Sequence, residues 1–435
     1  MAGLMIAAPS SGAGKTTVTL ALIAALRAAG HRVASAKAGP DYIDPAFHAA
    51  ASGRACVNLD PFAMRPALIR TLAAQQAADA DLFVTEAMMG LFDGAADGTG
   101  SAADLAASIG ARIVLVVDCA RQSHSVAALV SGFGNFRADT TIAGLILNRV
   151  GSPRHRAMLE DALRPLEIPV LAALPRHGDL ALPERHLGLV QAGEHGDLAA
   201  FLARAAEWMS AHADLEALAE MARRDSTAAD SDAVREAQPF APLGQRIAVA
   251  RDAAFAFAYP HMLAGWQAAG AELSVFSPLA GEAPSAAADA VFLPGGYPEL
   301  HAGHLAAATT FRAGMQAAAA RGALVYGECG GYMALGEGLV DAAGARHAML
   351  GLLPLETSFA ERRRQLGYRR LVPLAGAPFE GELMGHEFHY ATTLAEGRAA
   401  ARLFAVRDAL REDLGEAGLR VGRVMGSFCH VIDRR

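Results

Sequence analysis

Residues Ser10-Ser11-Gly12-Ala13-Gly14-Lys15-Thr16-Thr17 lie between an apolar run at 4–8 and an apolar helical pattern at 18–26. A loop in that position lets successive backbone N–H groups and a helix N-terminus converge on an anion, so Ser11, Gly12, Ala13, Gly14, Lys15, Thr16 and Thr17 are expected to bind nucleotide phosphates. Lys15 would reach the outer phosphates of ATP and the Thr16 hydroxyl would ligate Mg²⁺. The pattern G-x-x-x-x-G-K-[ST] is not met in full, because Pro9 stands at the first glycine position. Lys37, assigned to the same nucleotide region, ends an apolar run and precedes Gly39-Pro40-Asp41-Tyr42-Ile43-Asp44-Pro45. Asp41 and Asp44 can hold a hydrated Mg²⁺ or, with Tyr42, orient a substrate group; a surface Asx-turn pair is the alternative. Glu86 ends what reads as the third strand and precedes Met89-Gly90-Leu91-Phe92-Asp93-Gly94. A carboxylate at the carboxyl end of a parallel strand faces the ligand crevice, which makes Glu86 a metal or metal-water ligand, with a helix N-cap as the alternative. Asp118 has the same geometry, balanced against a capping role. Asn148 is positioned to read an adenine edge or to cap a turn.

A second constellation surrounds Cys329. Tyr326-Gly327-Glu328-Cys329-Gly330-Gly331-Tyr332 follows an apolar run at 323–325, and small residues two before and two after the reactive one are what a tight strand-to-helix elbow requires. At a helix N-terminus the Cys329 thiol is expected to shift from ~8.5 into the range of ~3.5 to 7.5, whereas a merely buried cysteine would be inert. In Leu293-Pro294-Gly295-Gly296-Tyr297-Pro298-Glu299, the Gly296 amide pairs with that of Gly330 as an oxyanion donor set. The general base is a histidine from elsewhere among 15. A last strand over 423–430 delivers His430, with His386 and His389 as rivals.

The elements that must position these groups follow from length and pattern. At about 150 residues per domain, 435 residues make two or three domains, and 53% hydrophobic with 19% charged residues suits a folded enzyme-like body. The longest uncharged stretch, 253–271, contains Pro260, His261 and Gln267, so no membrane span is expected. The first apolar run lacks a preceding basic segment and leads into the glycine-rich loop, which predicts a cytoplasmic protein. A net charge of −7 argues against non-specific nucleic-acid binding. Cys56, Cys119, Cys329 and Cys429 are too scattered for a disulfide scaffold or a zinc ribbon. Strand-like runs at 4–8, 81–85, 113–117 and 142–147 alternate with alanine-rich helical stretches, and the alternation resumes at 247–250, 273–276, 290–293 and 323–326. This is the pattern of two α/β domains with parallel sheets. The polar stretch 221–243, with Pro239 and Pro242, marks the junction, giving domains at 1–225 and 245–435 with a linker at 226–244.

The segments PSSGAGKTT, GPDYIDPAFH, Leu59-Asp60, MGLFDG, LPERHLGL, LPGGYPEL, GECGGYM, LGYR and GHEFHY, in this order, resemble the cobyrinic or hydrogenobyrinic acid a,c-diamide synthases of cobalamin biosynthesis. The resemblance covers nearly the full chain. It implies an N-terminal P-loop domain related in fold to dethiobiotin synthetase, joined to a C-terminal class I glutamine amidotransferase domain with a flavodoxin-like sheet. It further implies a ligase in which Cys329 forms a glutamyl thioester and His430 shuttles protons. The ammonia released would then travel inside the protein to a corrinoid carboxylate phosphorylated by ATP, at position c and then a. Asp41, Asp44, Glu86 and Asp93 would belong to the metal and substrate region.

Two positions depart from the related pattern. Ile432 stands where many class I amidotransferases have a glutamate, the nearest acid in sequence being Asp433, so the third member of the site is unassigned. Ala8 stands where related synthetases usually have a glycine. The ending of the aromatic run 251–261, FAYPH, looks more like the enzymes acting on metal-free hydrogenobyrinic acid than the cobalt-dependent branch. Arg362-Arg363-Arg364 with Arg369-Arg370 is a candidate basic patch for a polycarboxylate, or a solvated surface. The alternatives are cobyric acid synthase, an a,c-diamide synthase of another tetrapyrrole and, in a different class, a partitioning-type ATPase. That last reading is disfavoured because Ser10 stands at its signature lysine position. A homodimer is the assembly expected.

Overall fold

The run Leu-Met-Ile-Ala is apolar on both faces and forms β1 (Leu4–Ala7), fully buried as a central parallel strand must be. A computed structural model describes residues 3–180, 182, 184–185, 188–223, 237, 240–397 and 400–435. The chain divides into two compact units, Met1–Ala237 and Gln238–Arg435. Of the expected linker 226–244, residues 226–236 and 238–239 lie outside the described residues, as do 183, 186 and 187 of LPERHLGL.

In the first unit β1 is joined by β2 (Val33–Ala38), β3 (Cys56–Leu59), β4 (Leu82–Glu86), β5 (Arg112–Asp118), β6 (Ile142–Val150) and β7 (Val170–Pro175). They form a seven-stranded sheet in the order β3-β2-β4-β1-β5-β6-β7, with parallel pairing throughout. Glu86 therefore ends the fourth strand in the chain, not the third. The strand overlooked, β3, is only four residues long and carries the polar Asn58, too little for an alternation signal. Register decides what meets what: Lys37 stands opposite Glu86 across β2 and β4, and Ile6 of β1 stands opposite Glu86 on its other side. Three adjacent strand ends thus deliver the phosphate loop, Lys37 and Glu86 to one crevice, at the carboxyl edge where open α/β sheets bind ligands.

The second unit is built on five parallel strands in the order Glu272–Phe276, Arg246–Ala250, Ala290–Leu293, Leu324–Glu328 and Val424–Ser427. An antiparallel extension follows through Asp413–Val421, Ala401–Arg407, Gln365–Pro373, Leu383–His389 and Cys429–Arg434. The single last strand expected at 423–430 is two strands broken at Phe428. One belongs to the parallel half and the other to the far edge of the extension. Phe428 makes the transition with its ring 4.0 Å from that of His389 and 5.2 Å from that of Tyr332. Residues 251–259 of the aromatic run form a loop with one bridge, Phe257 to Gly295, and its last two residues open helix Pro260–Ala268. Its Phe255 and Phe257 are core residues, and buried His261 donates from Nε2 to Ile432 O at 2.8 Å, pinning the strand that carries His430.

Candidate active sites

The phosphate loop turns through left-handed Gly12 (φ 81°) and Gly14 (φ 89°) into helix Lys15–Ala28. A Cβ on Gly14 would lie 2.4 Å from Asn148 Nδ2, so only glycine fits there. Asn148 Nδ2 donates to Ala13 O at 2.9 Å and its Oδ1 accepts from Arg149 N at 2.9 Å. Its amide braces the loop from β6. Ser11 and Gly12 are exposed, Ala13 is buried and Thr17 is half-buried. Lys15 Nζ donates to Met89 O at 2.5 Å and to Ser10 O at 3.4 Å.

Beneath the loop lies a buried ionic cluster. Thr16 Oγ1 donates to Glu86 Oε1 at 2.7 Å and lies 3.4 Å from Asp44 Oδ2. Lys37 Nζ bridges Asp44 Oδ2 at 2.6 Å and Glu86 Oε1 at 2.8 Å. His48 Nε2 is 2.6 Å from Glu86 Oε2, and Cys56 Sγ lies 3.7 Å from His48 Nδ1. Asp41 shapes the backbone instead. Its Oδ1 accepts from Ile43 N at 2.8 Å and Asp44 N at 3.0 Å, opening helix Asp44–Ser52 with Tyr42 half-buried in the turn. Asp44 rather than Asp41 stands beside Thr16. Asp93 is exposed and closes its own turn by accepting from Gly90 N at 2.8 Å. Asp118 accepts from Ala120 N at 3.0 Å in a turn and pairs with Arg149 at 2.5 Å, and it does not cap the next helix, Ser125–Asn135, whose N-cap position is His124.

These contacts set the charges. Burial alone would raise Glu86, but Lys37 and His48 overcome it and hold the carboxyl well below the usual range. Burial opposes the charge on His48 as well, yet its bonds to Cys56 and Glu86 raise it and keep it protonated. Burial pushes Asp44 up to about 6, with Asp41 adding to the effect and Lys37 opposing it. Burial lowers Lys15. The cluster holds fixed charges of both signs under a loop of N–H donors, an arrangement able to receive phosphates and align an anionic acceptor.

In the second unit Cys329 occupies a left-handed backbone position, φ 46°, rare for a non-glycine residue and the signature of a strained elbow. A Cβ on Gly331 would lie 1.9 Å from Leu293 O, and one on Gly327 would lie 2.8 Å from Gly331 C, so both flanking glycines are obligatory. The Gly296 amide nitrogen lies 2.9 Å from where a Gly330 Cβ would stand, which brings the two expected oxyanion donors together. A Cβ on Gly295 would meet His430 Cε1 at 2.3 Å, His430 Nε2 at 3.0 Å and Cys329 Cβ at 3.3 Å. Cys329 and His430 therefore converge over bare backbone. Of the rival histidines, His389 is held by Glu387 Oε1 at 3.0 Å and Ala391 O at 3.1 Å, and His386 stands opposite His430 in the sheet.

The thiol does not follow the helix-dipole expectation: burial, then the nearby Glu299, push Cys329 well above its ordinary value. Helix Gly330–Leu335 has only six residues, and desolvation outweighs its dipole. Burial, then His386 and His389, lower His430 to about 3. The resting pair is a neutral thiol beside a neutral imidazole able to take its proton.

Residues 4–190 match the CobQ/CobB/MinD/ParA nucleotide binding domain, and residues 246–435 match the CobB/CobQ-like glutamine amidotransferase domain. The chain is 62% identical over 434 residues to a hydrogenobyrinate a,c-diamide synthase of Brucella anthropi, covering 100% of this chain and 99% of that protein. It is 60% identical over 433 residues to one of Rhizobium meliloti, with the same coverage. The chain belongs to the hydrogenobyrinate a,c-diamide synthase family. Its two units are the nucleotide-binding and glutamine amidotransferase domains of that family, and the end-to-end match sets aside the partitioning-type ATPase. Among the described residues no helix is long and apolar enough to cross a membrane.

Within this hydrogenobyrinate a,c-diamide synthase fold, sequence reasoning passed over His48, Cys56 and Glu328. His48 had a signal, since it lies four residues after Asp44 and so on the same helix face. Glu328 had none, because the strand that meets it is about a hundred residues away: its Oε1 accepts from Val431 N at 3.0 Å and Tyr326 OH at 3.2 Å, while Oε2 lies 3.7 Å from His430 Nδ1. The expected basic patch is divided. Arg362, Arg363 and Arg364 are exposed, but Arg369 is buried against Glu387 at 2.7 Å, and Arg370 is buried within 4.0 Å of Glu382.

Proposed function

We propose that this chain uses ATP and glutamine to amidate the a and c carboxylates of hydrogenobyrinic acid, the metal-free corrinoid. The observation that carries the reading is the convergence of Cys329 and His430 over Gly295, in a chain that also holds a phosphate loop above paired carboxylates. At the elbow, His430 Nε2 takes the Cys329 proton as Sγ attacks the glutamine carboxamide, with Gly296 and Gly330 N–H groups receiving the oxyanion. The C–N bond breaks, His430 returns the proton to the leaving ammonia, and water hydrolyses the glutamyl thioester. In the first unit, the loop from Ser11 to Thr17 with Lys15 and Lys37 holds ATP, Asp41 shapes the turn that presents Asp44, and Tyr42 and Asp93 orient the corrinoid. The carboxylate oxygen attacks the γ-phosphorus and ADP leaves; ammonia then displaces phosphate, at c first and then at a. The Thr16 hydroxyl with the Asp44 and Glu86 carboxylates fits a Mg²⁺ that keeps waters and phosphates as its other ligands, and it would neutralise phosphate charge there. The division of labour is physical: a carboxylate is a poor electrophile until phosphorylated, and free ammonia is mostly protonated at neutral pH. The names of the relatives favour the metal-free substrate over cobyrinic acid. A cytoplasmic location and a homodimer complete the reading, the latter tested by sedimentation.

The test is product mass with ATP, Mg²⁺ and glutamine on hydrogenobyrinic and cobyrinic acids. Two amide additions on the metal-free acid are expected, lost in Cys329→Ala with glutamine and restored with ammonia. Turnover of cobyrinic acid alone would overturn the substrate assignment, and full glutamine-dependent turnover by Cys329→Ala would overturn the mechanism.

A further inference from the structure

We infer that Glu328 is the positioning residue of the amidotransferase site, accepting the Nδ1–H of His430 so that Nε2 can take the Cys329 proton. The inference rests on the reading above that Cys329 and His430 form the glutaminase pair. Where many related sites have a glutamate two residues after the histidine, this chain has Ile432, fully buried and apolar. An imidazole that must act as a base at Nε2 needs its proton on Nδ1, and a buried Nδ1–H needs an acceptor.

Glu328 supplies it from the other side, as the residue immediately before the nucleophile. Val431 N and Tyr326 OH both bond to its Oε1, which fixes the carboxyl plane and leaves Oε2 toward His430 Nδ1 at 3.7 Å, with both side chains almost wholly buried. That separation exceeds a hydrogen bond, as catalytic bonds often do before substrate tightens the site. Asp433, the nearest acid after His430 in sequence, is turned to Arg434 N at 2.8 Å. The groups facing the pair are Tyr326 on the same strand, Cys329 at the elbow, Cys429 on the partner strand, and His386, Glu387 and His389 from Leu383–His389. The proton path balances: the Sγ–H proton passes to Nε2 and then to the leaving nitrogen, while Glu328 neither gains nor loses one. A protonated Glu328 would instead donate to Nδ1 and place the ring proton on Nε2, the wrong tautomer for a base. Burial pushes this carboxyl up to about 8, so glutaminase turnover should rise as it ionises.

The test uses the full chain with Glu328→Gln, Glu328→Asp and Cys329→Ala, measuring glutaminase kcat and KM against pH beside ammonia-driven amidation. Glu328→Gln should lower kcat by about 100-fold or more, leave the KM for glutamine within about threefold, and abolish the rising alkaline limb. Ammonia-driven amidation should be unchanged, and Glu328→Asp should restore part of kcat with a displaced limb. A Glu328→Gln enzyme that keeps the wild-type kcat and limb overturns the inference. If that variant does not fold, an unmoved limb in Glu328→Asp overturns it as well. Glutaminase activity surviving Cys329→Ala would instead sink the reading beneath it.

Discussion

The two sites of this chain handle burial in opposite ways. Under the phosphate loop, Glu86, Lys37 and His48 are buried as ions, each held charged by a partner within 2.8 Å, while Asp44 beside Lys37 is pushed up to about 6. At the elbow, Cys329 and His430 are equally buried but neutral, because desolvation and then the charges nearest each, Glu299 for the thiol and His386 and His389 for the imidazole, all favour the neutral form. The difference matches the reactants. Phosphoryl transfer needs a fixed field ready before the anion arrives, whereas thiol attack needs a proton that can move between two groups of matched neutrality. Burial alone does not set a residue's chemistry; the partner buried with it does.

The comparison breaks most visibly if the first cluster loses a cation. Lys37→Met leaves two buried carboxylates short of charge, and the expected cost is about 3–5 kcal/mol of stability in the first unit. Differential scanning calorimetry should show the first unit's transition falling, while glutaminase activity is retained. A smaller effect sharpens the neutral side. His430 is lowered to about 3 from an ordinary 6.5, so between those values the unfolded chain binds more protons and stability is lost as pH falls. Glu328 is raised to about 8 from an ordinary 4.5, so its contribution is full below 4.5 and is lost as pH rises through 8. The two contributions oppose each other between 4.5 and 6.5, so the second unit should melt highest across that window, losing stability as pH falls from 4.5 toward 3 and as it rises from 6.5 through 8. His430→Ala should flatten the acid side and Glu328→Gln the alkaline side; a profile unchanged by either would contradict these charge states. The smallest expected effect is Asn148→Ala, which removes one buried bond to the loop, costs about 1 kcal/mol and raises the KM for ATP by roughly fivefold at unchanged kcat.

The residues doing local work were legible. Gly12, Gly14, Gly327 and Gly331 announced their turns because the backbone geometry they permit is written in residue type. Lys37 and Glu86 were found because parallel strands align their carboxyl ends. What escaped depends on contacts between distant segments: the arrival of Cys429–Arg434 beside Glu328, the division of the last strand at Phe428, and the turn of Asn148 toward Ala13. The thiol was misjudged for a related reason, since a six-residue helix and a closed core cannot be weighed against each other from sequence spacing.

Asn148, reaching from β6 to Ala13, has a consequence for how ligand meets protein. The loop owes its shape to a side chain from another strand, so much of its conformational search is finished at folding rather than at each encounter. A nucleotide entering it then forfeits its own freedom but little of the protein's, and more of the contact energy remains as affinity. Calorimetry of nucleotide binding should accordingly show a heat-capacity change in keeping with the surface covered, without the additional term that accompanies the ordering of a segment.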